Sequence, residues 1–216
     1  MTSDYKPNYW EKCVGWFDWM NLYDEVAMTT PAGSCVVEVG VAFGRSLLYL
    51  AQRIRETGKD IQIYAVDRWQ PYGEHAFIYG SEAPVVASER AAYESAKAHG
   101  GVYGAFLHNL YESGLAEGVS VIRADSVAAV QLWHGRVGPH FVFIDAEHEY
   151  TAVRADLDAW WATGPEWMAG HDFNPKSEIH FPGVWKAVYK KWPEQEIEWK
   201  GQTCFVARRA TLERRR

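Results

Sequence analysis

Cysteine is scarce in this 216-residue chain: Cys13, Cys35 and Cys204 are far apart and odd in number. No disulfide framework and no zinc-ligand spacing follows from them, which excludes a stapled secreted scaffold. Cys35 and Cys204 lie in apolar, strand-like runs and read as small hydrophobes. No apolar run approaches membrane-spanning length, and no charged-then-apolar leader pattern opens the chain, so the expectation is a cytoplasmic protein without a membrane partner. Positive charge is also short. The 22 Lys and Arg face 28 Asp and Glu, a net charge of −6, which argues against a nucleic-acid partner. The one basic cluster, Arg214-Arg215-Arg216, reads as a solvated tail.

Aromatic residues, by contrast, are abundant at 15%, with 11 Trp and 12 Tyr. They are spread along the chain, so some belong to a core and some to a concave, stacking-prone pocket. Residues 1–30 hold Tyr9-Trp10, Trp16-Phe17, Trp19-Met20 and Leu22-Tyr23 among polar neighbours. That spacing suits an N-terminal helical extension of one or two amphipathic helices, docking on the main domain or on a second subunit of a homo-oligomer. Thr30-Pro31-Ala32-Gly33 breaks it, and residues 31–216 read as one domain.

Within that domain, strands alternate with helices. Strands are expected at 35–39, 61–66, within 119–126, where the run leads into a turn, at 141–145 and at 166–170. Helices are expected at 46–54 (stopped by Gly58), 89–98, 103–113, 127–133, 150–161 and 183–191. Segments 197–199 and 203–207 look like a closing hairpin. The pattern predicts an α/β fold, a doubly wound and mostly parallel sheet with a C-terminal antiparallel hairpin. The continuous run Phe141-Val142-Phe143-Ile144 marks a central strand covered on both faces.

The chemistry should gather at strand ends. Val36-Val37-Glu38-Val39-Gly40 passes through Gly44 into a helix, and Asp67, Asp125, Asp145 and Asp172 each close an apolar run. Ligands of open parallel sheets bind beyond the carboxyl ends of the strands. A dinucleotide-binding loop would carry G-x-G-x-x-G, whereas here the middle position is Ala42. That disfavours nicotinamide redox chemistry and suits a nucleoside without phosphate, its amino-acid portion over the glycines and its ribose on Asp67. Simple helix capping remains an alternative for Asp67 and for Asp125-Ser126.

Several blocks in order, Glu38-Val39-Gly40 with Gly44 and Ser46, Val66-Asp67-Arg68-Trp69, Ala124-Asp125-Ser126, Phe143-Ile144-Asp145-Ala146-Glu147-His148-Glu149-Tyr150, Ala169-Gly170-His171-Asp172-Phe173 and Pro182-Gly183-Val184, carry a resemblance. The chain resembles class I S-adenosylmethionine-dependent methyltransferases, and more narrowly the metal-dependent macrocin and mycinamicin-type sugar O-methyltransferases. The resemblance covers about residues 34–190 and is loose from Arg68 to Gly118. It implies S-adenosylmethionine held by Glu38, Gly40, Gly44, Ser46, Asp67, Arg68, Asp125, Ser126 and Asp145, with Glu38 and Gly40 near the methionine end and Asp125-Ser126 at the adenine edge. It also implies a divalent metal, magnesium by precedent, on Asp145 and Asp172. His171 stands where relatives carry an acid or amide; it could ligate a softer metal or orient Asp172.

Methyl transfer to an aliphatic hydroxyl needs alignment and removal of a poorly acidic proton. His148, three residues beyond Asp145, is the first candidate base and Glu147 its competitor. Glu149, Asp156 and Asp158 read as solvated helix-face acids. The expected partner is a small-molecule or glycan acceptor, met by Trp69, Tyr72, His75, Phe77 and Tyr79 and by the loop 174–181. A metal-free or N-directed methyltransferase, and a domain that binds the nucleoside without catalysis, remain as rivals.

Overall fold

A computed structural model describes residues 4–70, 87–133, 138–201 and 203–213. Its strands are β1 Cys35–Val39, β2 Gln62–Asp67, β3 Val119–Arg123, β4 Phe141–Ile144, β5 Trp167–Gly170, β6 Ile197–Lys200 and β7 Cys204–Arg208. They form one sheet in the order β3-β2-β1-β4-β5-β7-β6. The pairs among β1 to β5 are all parallel, while β7 runs antiparallel to β5 and β6 to β7. The chain therefore winds outward from β1 to β3, returns to β4 on the other side of β1, and winds outward again. A crevice opens at that switch point, where connections leave β1 and β4 in opposite directions.

The helices are α1 Met20–Thr29, α2 Arg45–Thr57, α3 Ala87–Ala98, α4 Val102–Glu112, α5 Ser126–Gln131, α6 Tyr150–Ala162, α7 Pro182–Lys191 and α8 Arg209–Glu213. Gly58 ends α2 in the left-handed conformation (φ 69°), and Pro182 opens α7, each where its backbone preference fits. Asp125 caps α5 by accepting the Val127 amide at 3.0 Å.

Side chains alternate across the sheet, and β4, β5 and all of β1 after Cys35 are buried on both faces. Val36, Ile63, Ala65, Phe141 and Phe143 face one cluster with α2 and α4; Val37, Val39, Val142 and Ile144 face another with α6 and α7. The N-terminal segment is part of the first cluster. Among the described residues one α-helix forms there, preceded by a 3₁₀ turn at Tyr9–Lys12. Tyr23 is fully buried and Trp19 stacks on Phe143 at 5.0 Å. Each such aromatic contributes about 1.5–3 kcal/mol by burial, so the segment docks firmly on its own sheet. No helix among the described residues is long and apolar enough to cross a membrane.

Candidate active site

The turn after β1 is shaped by the neighbouring main chain. Gly40 has φ 89°, and a Cβ there would lie 1.8 Å from the Asp145 carbonyl oxygen, so only glycine lets the β1 and β4 ends close up. Gly44, at φ 86°, precedes α2, and its missing side chain admits the Phe106 ring. Asp67 then ties the turn to β2. Its Oδ2 accepts the Val41 and Ala42 amides, both at 2.9 Å, and its Oδ1 accepts the Trp69 amide at 2.6 Å. Burial raises the Asp67 pKa, and these three amides offset part of that rise. A helix-start turn with open amides is an anion site; here a carboxylate already occupies them, so the turn suits a ligand without phosphate.

Glu38 lies beneath this turn. It is buried, accepts Tyr23 Oη–H at 2.8 Å and Ser46 Oγ–H at 2.6 Å, and burial pushes it up to about 8. The Glu38 and Ser46 side chains thus hold each other, and neither is in the wall of the cleft. Gly44 and Asp145 are also absent from that wall.

The cleft itself has a volume of about 270 Å³ and is walled by Gly40, Asp67, Arg68, Asp125, Ser126, Glu147 and Asp156 among Val39, Val66, Ala124, Val127 and Ala146. The Arg68 guanidinium pairs with Glu147 at 2.7 Å, which ties up the competing candidate base. Asp125 serves as a helix cap and lines the cleft at once. Asp156 corrects the sequence reading: it is 5% exposed, hydrogen-bonded to Ser126, and raised by burial to about 6. The signal was present, since Asp156 shares its helical face with Val153 and Trp160, both buried. Asp158 does face solvent, paired with Arg154 and Lys191. Trp69 is also corrected. It is buried, stacks on Phe106 at 4.8 Å and donates Nε1–H to the Ala42 carbonyl, so it supports the turn and is not open to an acceptor. Tyr72, His75, Phe77 and Tyr79 lie outside the described residues.

The ends of β4 and β5 carry a different kind of cluster. His148 Nε2 lies 2.9 Å from Asp172 Oδ2. His171 Nδ1 lies 3.2 Å from the same oxygen and 3.7 Å from Asp145 Oδ1. His171 Nε2 is 3.3 Å from Asp18 Oδ1, out of line for a hydrogen bond. Burial works against a charge on His171, but the hydrogen bond to Asp172 and the fields of Asp145, Asp172 and Asp18 hold it up at about 9. Burial raises Asp145. It would raise Asp172 too, but hydrogen bonds from His148 and His171 keep that carboxyl well below the usual range. Asp145, His148 and Asp172 each offer a ligand atom within 4.8 Å of the others. His171, expected among the metal ligands, stands beside that trio. Trp19 packs on His171 (ring centroids 4.4 Å) and Phe181 on His148 (4.0 Å). Asp172 and Phe181 have positive φ (55° and 47°), as do Ala42 and Trp69 beside the glycine turn. Backbone strain among the described residues thus falls mostly in the connections after β1, β2 and β5, Asn8 being the exception.

A doubly wound sheet with a phosphate-free nucleoside cleft at its switch point is the Rossmann-like methyltransferase fold. Solved structures of this kind resemble the chain in fold. The O-methyltransferase NovP superposes with a TM-score of 0.61 at 11% identity, over 88% of this chain and 78% of that one. The calicheamicin methyltransferase CalS11 gives 0.55 at 16%, over 88% and 77%. An O-methyltransferase from Bacillus cereus, solved with SAH (S-adenosylhomocysteine), gives 0.51 at 14%, over 95% and 82%. No curated protein matches the chain. Residues 37–169 match the family model described as a methyltransferase domain, well over half of the sequence. The chain belongs to that family and is an S-adenosylmethionine-dependent methyltransferase. The cleft fits the cofactor's chemistry: beyond the Arg68–Glu147 pair, Asp67, Asp125 and Asp156 leave its wall acidic toward a cationic ligand, and its apolar walls suit a planar base.

Proposed function

We propose that the protein is an O-methyltransferase acting on a hydroxyl of a small molecule or glycan, with Asp145 and Asp172 holding a divalent ion and His148 acting as base. The observation that carries this reading is the convergence of Asp145, His148 and Asp172 at adjoining strand ends. Two carboxylates on separate strands suit a hard cation such as magnesium, which retains several waters. When bound, the ion lowers the pKa of an acceptor hydroxyl. The cofactor supplies a sulfonium methyl, and the chain's own work is then alignment and proton removal. Asp172, paired with His148 Nε2, orients the ring for its role as base toward the acceptor hydroxyl. Loop 174–181 meets His148 through Phe181, segment 15–19 meets His171 through Asp18 and Trp19, and the two serve as acceptor walls. Trp16 and Ile179, 75% and 86% exposed, supply apolar surface there. The structural neighbours that are O-methyltransferases support the same direction.

The test is Asp145→Ala, assayed with labelled methyl donor on a panel of hydroxylated acceptors. Turnover is abolished while S-adenosylhomocysteine binding stays nearly intact; unchanged turnover removes the role of Asp145. A second, metal-free reading is favoured by His171, whose ring sits among Asp18, Asp145 and Asp172 and supplies positive charge there. Activity that survives EDTA selects it.

A further inference from the structure

His171 carries an unmet demand. Its Nδ1 lies 3.2 Å from Asp172 Oδ2, while Nε2, on the other side of the ring, is buried without a hydrogen-bond partner. A buried ring nitrogen left unpaired is costly. Asp18 Oδ1 stands 3.3 Å from it, close to an ordinary N–H···O separation, and only the angle falls short. One imidazole between two carboxylates is an arrangement in which both ring nitrogens donate. Asp18 is itself held. Its Oδ1 accepts the Thr203 hydroxyl at 3.0 Å, and the Thr203 carbonyl accepts the amide of Phe173, the residue after Asp172, at 2.9 Å. Trp19, next to Asp18, covers the His171 ring with centroids 4.4 Å apart. The contacts close a ring that runs from Asp18 through His171, Asp172, Phe173 and Thr203 back to Asp18.

An imidazole anchored at one nitrogen still turns about its broad Cβ–Cγ torsion, and an anchor at the second nitrogen stops it. Asp172 Oδ2 meets His171 and also His148, whose Nε2 is 2.9 Å away. The position His171 takes on that oxygen therefore sets what is left for His148. We propose that Asp18 is a positioning residue for methyl transfer, fixing His171 and through it the orientation of Asp172 and of His148. Sequence gives no sign of this. Asp18 sits between Phe17 and Trp19 in the aromatic N-terminal segment, and only docking of that segment brings it to the β5 end.

The inference rests on His148 as base, and the experiment keeps the two apart. In isotope-labelled protein, proton–nitrogen correlation spectra of the histidine rings, assigned with His148→Gln and His171→Gln, report the hydrogen bonding of each ring without any acceptor. Asp18→Ala shifts the signals of His171 and also those of His148, at the far end of the contacts. Asp18→Asn keeps an oxygen that accepts Nε2–H and leaves the His148 signals near wild type. Thr203→Val, which releases the Asp18 carboxylate without removing it, shifts them in the same direction as Asp18→Ala, and it decides the matter if Asp18→Ala does not fold. His148 signals unmoved in Asp18→Ala or in Thr203→Val, or no rescue by Asp18→Asn, overturn the inference. In the labelled-donor assay Asp18→Ala lowers kcat on the order of tenfold with KM for the acceptor unchanged. A rise in KM alone makes Asp18 an acceptor contact and overturns it as well. Full turnover in His148→Gln removes the base reading, while the spectra still decide whether Asp18 holds the cluster.

Discussion

Strand-end acids do opposite work at two places along the carboxyl edge of the sheet. Around the glycine turn, Asp67 is engaged by three backbone amides and Glu38 by two hydroxyls, so both brace the scaffold. At the β4 and β5 ends, Asp145 and Asp172 meet the imidazoles of His171 and His148, side chains that can gain or lose a proton where a backbone amide cannot. All four acids look alike in sequence, each closing or lying in an apolar run. What packs against the carboxylate separates a brace from a reactive group.

The largest effect should come from the reactive end. His148→Gln is expected to lower turnover by about 10²- to 10⁴-fold while S-adenosylhomocysteine affinity, read by calorimetry, is unchanged. A parallel loss of affinity would break the division between the two places. An intermediate effect is expected at the brace. Asp67→Asn sets a side-chain amide against one of the Val41, Ala42 and Trp69 N–H groups, so cofactor affinity falls by about tenfold. Turnover at saturating cofactor should change little; a collapse of kcat would move Asp67 to the chemical side.

The smallest effect is thermodynamic. Glu38 sits at about 8 in the folded protein against an ordinary 4.5, so between those values the folded chain keeps a proton that the unfolded chain releases. Its contribution to stability is constant below 4.5, declines as pH rises through the window, and levels off above 8. Glu38→Gln, neutral at every pH, should flatten the fall of Tm across that window. A slope identical to wild type would show that Glu38 is ionised in the folded state.

Much of this fold was legible beforehand. The strands at 35–39 and 141–144 and the helix stop at Gly58 stand where apolar runs and a left-handed glycine demand them. Asp145, His148 and Asp172 were legible as a set because strand ends of a parallel sheet meet at one rim. Asp156 was misread because a charged residue on a helix is usually solvated, and only packing against Ser126 shows otherwise. Trp69 was misread because an aromatic beside a binding turn can support the turn as easily as face the ligand.

By itself the sequence determined which segments become strands and helices and which acids reach the carboxyl edge of the sheet, since period and turn chemistry are local. Only the tertiary structure decided what each acid meets there. Asp67 meets amides, Glu38 meets Tyr23 and Ser46, and Asp172 meets two imidazoles. Those partners come from distant parts of the chain, and a carboxylate's role depends on the groups and the solvent around it, which local pattern does not record.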